Sequence, residues 1–343
     1  MTNRMQLRLL TPLVFAAFLT PGATPGAAAA GPTPLTISYS QKTVDFLPLW
    51  IAADAGYFKK HNLDVTLRYL PAQEGIPALI TGQVQIAGIG GADAASAEAQ
   101  GAKLKLVATL SPVYTFQFWA RPQYAGASAL KGQRVGITST TGSLYAGTVL
   151  ALKDLGLTTS DVAITPLGGA TNVNSSLLAG SVAAAASHPP ATYQFKQAGF
   201  VDLVDLAKKK IPSVSAGVWI TQSYMDAHRG VVQNVVDSVV EALGREKSDR
   251  AFAEAKISKH LGIKNKEELD FTYDFYINEV LPPGPMPKAA GIEANIQPLL
   301  ASNPKVKSVD AAAMVDQSFV KNAEKQGATN ENGTAIGANA SSQ

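Results

Sequence analysis

Residues 35–70 read LTISYSQKTVDFLPLWIAADAGYFKKHNLDVTLRYL. Both ends alternate apolar and polar side chains, the period of a strand with one buried face: residues 35–40 (LTISYS) and 64–70 (DVTLRYL). Between them, residues 48–58 open on a proline and close near Gly56, the punctuation of a short helix. Strand, helix and strand joined by short connections make a parallel βαβ unit, so an α/β fold is expected.

The alternation continues outward. Residues 76–81 read as a helix stopped by Gly82, 84–89 as a strand, 92–100 as a helix stopped by Gly101, and 103–110 as a strand. A second series begins after Pro122, with strands at 134–138, 162–167, 182–187 and 201–206 and helices at 142–155, 172–179 and 190–198. Residues 113–121 and 214–221 read as extended crossing segments between the two series. From Ser223 the pattern is helical only: 231–243, 248–260, 269–280, 289–300 and 310–325. The expected architecture has two lobes, each a mostly parallel sheet flanked by helices, joined by two hinge crossings. The first lobe takes residues 35–118 plus 218–326 and the second 119–217. The tail 327–343 is small and polar, and disorder is expected there.

Composition narrows the function. The 343 residues are 46 % hydrophobic and 16 % charged, a globular balance with length for about two domains. A net charge of +3 is far from the basic excess of a nucleic-acid binder. Zero cysteine removes disulfides, thiolate metal sites and cysteine nucleophiles. Residues 1–30 carry Arg4 and Arg8, then the apolar run LLTPLVFAAFLT, then PGATPGAAAA. This is the layout of a secretory signal with cleavage near Ala30, its apolar run too short to span a bilayer. Export to a periplasm without an acyl anchor is expected.

Catalytic motifs are weak. Gly136 and Gly142 bracket ITSTT with the wrong spacing for a phosphate loop, and no lysine follows. Ser143 in TGSLYAG is not a nucleophile elbow. The four histidines do not cluster, so neither a metal nor a triad is supported, and no cofactor is expected. The positive signal lies at the strand ends, where open parallel sheets bind ligands. Short polar, glycine-rich loops occur there: Ser40-Gln41, Gly90-Gly91 in GGAD, Thr141-Gly142-Ser143 in TSTTGS, Thr171-Asn172 in GGATN, and His188 in SHPP. Each precedes a helix, whose free N–H groups suit an anion or a polar head group. Phe46, Tyr114, Phe116, Trp119 and Trp219 supply candidate apolar walls, and Lys42 a candidate cation. No arginine stands in these loops, which favours a mono-anion or a neutral planar molecule over a doubly charged phosphate or sulfate.

The stretch PLWIAADAGYFKKHNLDVTLRYL resembles the opening signature of solute-binding proteins of ABC importers, in the family that handles sulfonates, nitrate- or taurine-type ligands and thiamine pyrimidine precursors. That pattern, P-L-x-x-A-x-x-x-G-x-F-x-x-x-G-L-D-V, is met by Pro48, Leu49, Ala52, Gly56, Phe58, Leu63, Asp64 and Val65, with Asn62 at the last glycine. ALITGQVQIAGIGGADAASAEAQGAKLKLVATL, ALKGQRVGITSTTGSLYAGTVLALKDLGL and LLAGSVAAAASHPP resemble later blocks. The departures are Ala183 where an acid is common and Ala129 in place of an aspartate before Leu-Lys-Gly. The resemblance implies a type II periplasmic-binding-protein fold. It also implies a monomer, no enzymatic step, and ligand contacts in the strand-end loops. The partners it implies are a small ligand, whose chemical identity does not carry over from the family, and a membrane permease; the loop inventory itself favours a small organic anion of the sulfonate or carboxylate type. It leaves open a pyrimidine ligand and a sensing subunit for a membrane kinase, and a pyrimidine-synthesising enzyme of the same fold, which zero cysteine and the export signal disfavour.

Overall fold

The computed structural model describes residues 31–327. The signal expected at residues 1–30 and the tail after residue 327 lie outside them. The first series comprises β1 (Thr33–Tyr39), α1 (Leu47–Asp54), α2 (Tyr57–Lys60), β2 (Leu63–Tyr69), α3 (Ala72–Ile80), β3 (Ile86–Ile89), α4 (Gly91–Glu98) and β4 (Leu104–Val113). The second comprises β5 (Gln117–Ala120), α5 (Ala127–Leu130), β6 (Arg134–Ile137), α6 (Ser143–Asp154), β7 (Ala163–Pro166), α7 (Ala170–Ala179), β8 (Ala184–Ser187), α8 (Ala191–Gln197) and β9 (Val201–Asp205). Then follow β10 (Pro212–Thr221) and helices α9 (Gln222–Ala227), α10 (Arg229–Ser248), α11 (Arg250–Leu261), α12 (Lys266–Phe275), α13 (Ala289–Ile296) and α14 (Ser318–Lys325).

Two five-stranded sheets share one plan. The orders are β2-β1-β3-β10-β4 and β7-β6-β8-β5-β9. In each, one strand runs antiparallel to both neighbours: β10 in the first sheet and β5 in the second. Each of these strands comes from a segment expected to be a crossing. Residues 113–121 hold β5, and 214–221 lie within β10. The turnover between sheets is confined to residues 114–116 and 206–211. There Tyr114 N–H donates to Ile211 O at 3.0 Å and Leu206 N–H to Phe116 O at 3.0 Å, so the two passages brace each other.

Local chemistry explains the elements. Helix α1 (LPLWIAAD) is apolar on every side and is buried accordingly, with Leu47 to Ala52 all inside. Trp50 stacks on His260 at 4.8 Å. Asn62 takes the place of a glycine in the opening signature and has φ 57°, a left-handed conformation that asparagine tolerates. Helix α10 buries Val232, Val235, Val236, Val239, Val240 and Leu243, one helical stripe packed on the first sheet's core.

The helix expected at 310–325 is shorter. Only Ser318–Lys325 is helical, because acids ahead of it close local turns instead. Asp310 Oδ1 accepts from Ala312 N–H and Ala313 N–H, and Asp316 Oδ1 accepts from Ser318 N–H. The helix expected at 269–280 begins at Lys266, runs to Phe275 and ends in one π turn, Tyr276–Val280.

Candidate functional site

A cavity of about 350 Å³ opens between the carboxyl ends of the two sheets. Its first wall is built by the loop after β1 (Ser40, Gln41, Thr43), by Tyr69 at the end of β2, and by Asp93 of α4. The facing wall comes from Thr138 after β6, Ser143 at the start of α6, Gly168 to Thr171 after β7, and His188 after β8. Asn174 on α7 and Pro190 before α8 complete it.

The β1 loop is held by a buried carboxylate. Thr43 Oγ1 donates to Asp45 Oδ2 at 2.7 Å, Tyr276 donates to the same oxygen at 2.9 Å, and Ser111 donates to Asp45 Oδ1 at 2.7 Å. Burial and the neighbouring Asp45 charge push the Tyr276 phenol well above its ordinary range, so it stays a donor. These bonds fix Thr43 at the cavity wall.

Polar contacts join the walls. His188 Nε2 lies 3.2 Å from Gln41 Oε1, and the His188 ring rests 5.6 Å from that of Phe116. Ser96 Oγ donates to Thr141 O at 3.0 Å. Ser143 donates from Oγ to Asp93 Oδ2 at 2.8 Å, and from its backbone N–H at 3.3 Å. Burial pushes the Asp93 carboxyl upward, and the Ser143 bonds offset part of that rise. Gly90 allows the approach, since a β-carbon there would overlap Ser143 Oγ. Lys42 lies exposed on the rim, its Nζ 5.3 Å from the centre of the Tyr69 ring.

Of the residues expected at the site, Ser40, Gln41, Ser143, Thr171 and His188 line this cavity together. The expected aromatic walls do not. Trp219 is fully buried and donates from Nε1 to Ile89 O at 3.0 Å. Tyr114 is fully buried, and its hydroxyl accepts from Asn295 Nδ2 at 3.0 Å. Phe46 packs beside Gly88 and Tyr39, and Trp119 packs on Phe195. All four point into the protein rather than over the strand ends. Asn172 is turned away too, with Nδ2 donating to Leu167 O at 2.9 Å. Thr141 lines a neighbouring cavity of about 430 Å³ that shares Asp93 with the first. Gly91 and Gly142 do not line the main cavity and act as close-approach points, Gly91 against Asn295 and Gly142 against Asp93.

The sequence reading did not single out Asp93, Tyr69, Thr43 or Asn174. Asp93 stood in the GGAD loop as an acid in the first turn of α4. Its partner lies 50 residues away, which no local pattern announces. Among the described residues, no group of three or more histidine, aspartate or glutamate side chains could hold a metal, and no helix is long and apolar enough to cross a membrane.

A family model described as NMT1/THI5 like matches residues 43–244. No curated protein matches the chain. Among solved structures, the alkanesulfonate-binding protein SsuA from Xanthomonas axonopodis pv. citri, bound to MOPS, is 22 % identical with a TM-score of 0.70 over 84 % of this chain and 99 % of its own. The periplasmic aliphatic sulphonate binding protein SsuA from Escherichia coli is 20 % identical with a TM-score of 0.69, covering 84 % of this chain and 93 % of its own. The desulfurization enzyme DSZB is 18 % identical with a TM-score of 0.62, covering 85 % and 99 %.

Proposed function

The chain belongs to the NMT1/THI5-like family and has the two-lobed fold of periplasmic binding proteins, and from that premise we propose that it is the solute-binding component of an ABC importer. It closes on a small organic anion of the sulfonate or carboxylate type and carries it through the periplasm to a permease. The lobes divide at residues 114–116 and 206–211, and the chain acts as a monomer without a chemical step.

The observation that carries this reading is the cavity walled by both sheets and bridged from Gln41 to His188 and from Asp93 to Ser143. A ligand touching both walls makes its full set of contacts only when the lobes are together, and that difference drives closure. Lys42 and the N-terminus of α7 attract the head group. Gln41 and His188 orient it, and Tyr69 covers the apolar part. The Asp93 carboxylate in the wall disfavours a dianion.

Asp93 also favours a second reading. A neutral aminopyrimidine would donate its amino group to Asp93 and stack on Tyr69. A thermal-shift screen of the purified protein against alkanesulfonates, aromatic carboxylates, nitrate and aminopyrimidines separates the two. A true ligand at a hundred times its dissociation constant adds about 2.7 kcal/mol of stability. Recovery of that compound unchanged after incubation supports a carrier, and its conversion supports an enzyme.

A further inference from the structure

The cleft continues past Asp93. The neighbouring cavity of about 430 Å³ shares Ala72, Gln73 and Asp93 with the cleft lining, so the two spaces meet at the start of α3. Both lobes wall this annex. Helices α3 and α4 form one side, and Ser139 and Thr141 of the β6–α6 loop form the other, where Ser96 Oγ donates to Thr141 O at 3.0 Å.

Its apolar surface is a helix face. Ala72, Ile76, Pro77 and Ile80 recur at helical spacing along α3, and all four line the annex. From Ala72 to Ile80 that face runs about 12 Å at the rise of an α-helix. Ala97 and Ala102 add single methyl groups that leave the space open. Ile80 is 50 % exposed, and Tyr69, on the cleft wall ahead of α3, is 45 % exposed. These are the two highest exposures of large apolar side chains among the described residues. Both stand on one continuous groove, and exposed apolar surface gathered along a groove marks a place that something covers.

Charge gives the groove a direction. Asp93 is the one charged residue among those lining the annex, and it stands where the annex joins the cleft, whereas Lys42 lines the cleft alone. An anionic head group is drawn to Lys42 and the N-terminus of α7 and repelled by Asp93, so the rest of the molecule points past Asp93 toward Ile80. A second anionic group at that end meets no cation among the described lining residues.

Resting on the cleft as the ligand site, we propose that the annex holds the uncharged tail of the cleft ligand, and that the chain selects organic mono-anions by tail length. The tail lies along the α3 face opposite Ala97 and Ala102, and Ile80 marks its far end.

Titration calorimetry of the full chain with ethane- and octane-1-sulfonate, and with propanoate and nonanoate, tests the annex. Ala102→Phe fills it, Ile80→Glu puts a charge at its end, and His188→Ala alters the cleft. The expected result is that the long member of a pair binds about tenfold or more tighter than the short one. That preference disappears with Ala102→Phe and with Ile80→Glu while affinity for the short member is unchanged, and His188→Ala weakens both lengths. Circular dichroism of each variant checks that it is folded. Equal affinity for the two lengths, or a preference that survives either annex variant, overturns the annex and leaves the cleft reading standing where His188→Ala weakens binding. Binding of neither length, or binding indifferent to His188→Ala, overturns the cleft reading and the annex with it.

Discussion

Asp93 on the first wall caps Ser143 on the second: two donors of one residue, hydroxyl at 2.8 Å and backbone N–H at 3.3 Å, meet a single carboxylate oxygen. The N-terminus of α6 is therefore filled by the chain's own anion. Under the proposed function, a ligand head group uses the N-terminus of α7 and the Lys42 side, or displaces Asp93. The first variants follow from this pair.

Gly90→Ala places a methyl group against Ser143 Oγ and forces α4 from α6. Ligand affinity is expected to fall about tenfold or more, with a smaller effect on the unfolding temperature, because the severe overlap is with Ser143 across the lobes and only a milder crowding is with Asp93 in the same lobe. Calorimetry beside small-angle scattering checks this. A variant of unchanged affinity and unchanged dimensions contradicts it.

Asp93→Asn keeps an acceptor for Ser143 and removes a carboxylate whose pKa burial has raised. At neutral pH the expected unfolding temperature is at or above that of the unaltered chain. Asp93→Ala also loses the cap and is expected to be the less stable of the two variants by about 1 kcal/mol. Urea denaturation of both reads the difference.

Tyr276→Phe leaves the Asp45 carboxylate one donor short in a buried place. Loss of about 1–3 kcal/mol is expected in urea unfolding. Ligand affinity should also fall, because Thr43 is held at the cavity by the same carboxylate.

Asp202 is pushed up to about 7, first by burial and then by the neighbouring Asp205 charge, with Gln117 Nε2 donating to both acids at 3.1 and 2.9 Å. The folded chain keeps this proton up to about 7, whereas an ordinary aspartate releases it near 3.8. Between those values the native state binds the extra proton, so this group's contribution to stability falls as pH rises through the window. Asp202→Asn is expected to raise the unfolding temperature at pH above 7 and to give no gain once pH falls below 3.8. Melting curves across pH check the sign; a gain that does not depend on pH refutes the assignment.

Much of this molecule could be read from the chain. Strands such as LTISYS and glycine stops such as Gly82 and Gly101 are local signals, and the alternating order of the two series followed from them. The membership of β5 and β10 was not readable, because each strand pairs in the sheet it enters with partners far away in sequence. At 310–317 the side chains of Asp310 and Asp316 compete with the helix for backbone N–H groups, a contest that periodicity does not register. At the site, polar loop residues such as Gln41 and His188 were legible from their place after strands. The aromatics were not, since Trp219 and Tyr114 look the same in sequence whether they face a cleft or a core. Asp93 was hidden because its role exists only once two lobes meet.

The measurement that bears most directly on the account is small-angle scattering of the purified protein with and without the best compound from the alkanesulfonate, aromatic carboxylate and aminopyrimidine panel, beside calorimetry of the same pair. The account predicts one saturable cleft site per chain, weakened by His188→Ala, with compaction on binding and recovery of the compound intact. A chain that binds none of these compounds, or binds one with no change in its dimensions, contradicts a two-lobed carrier closing on its cargo.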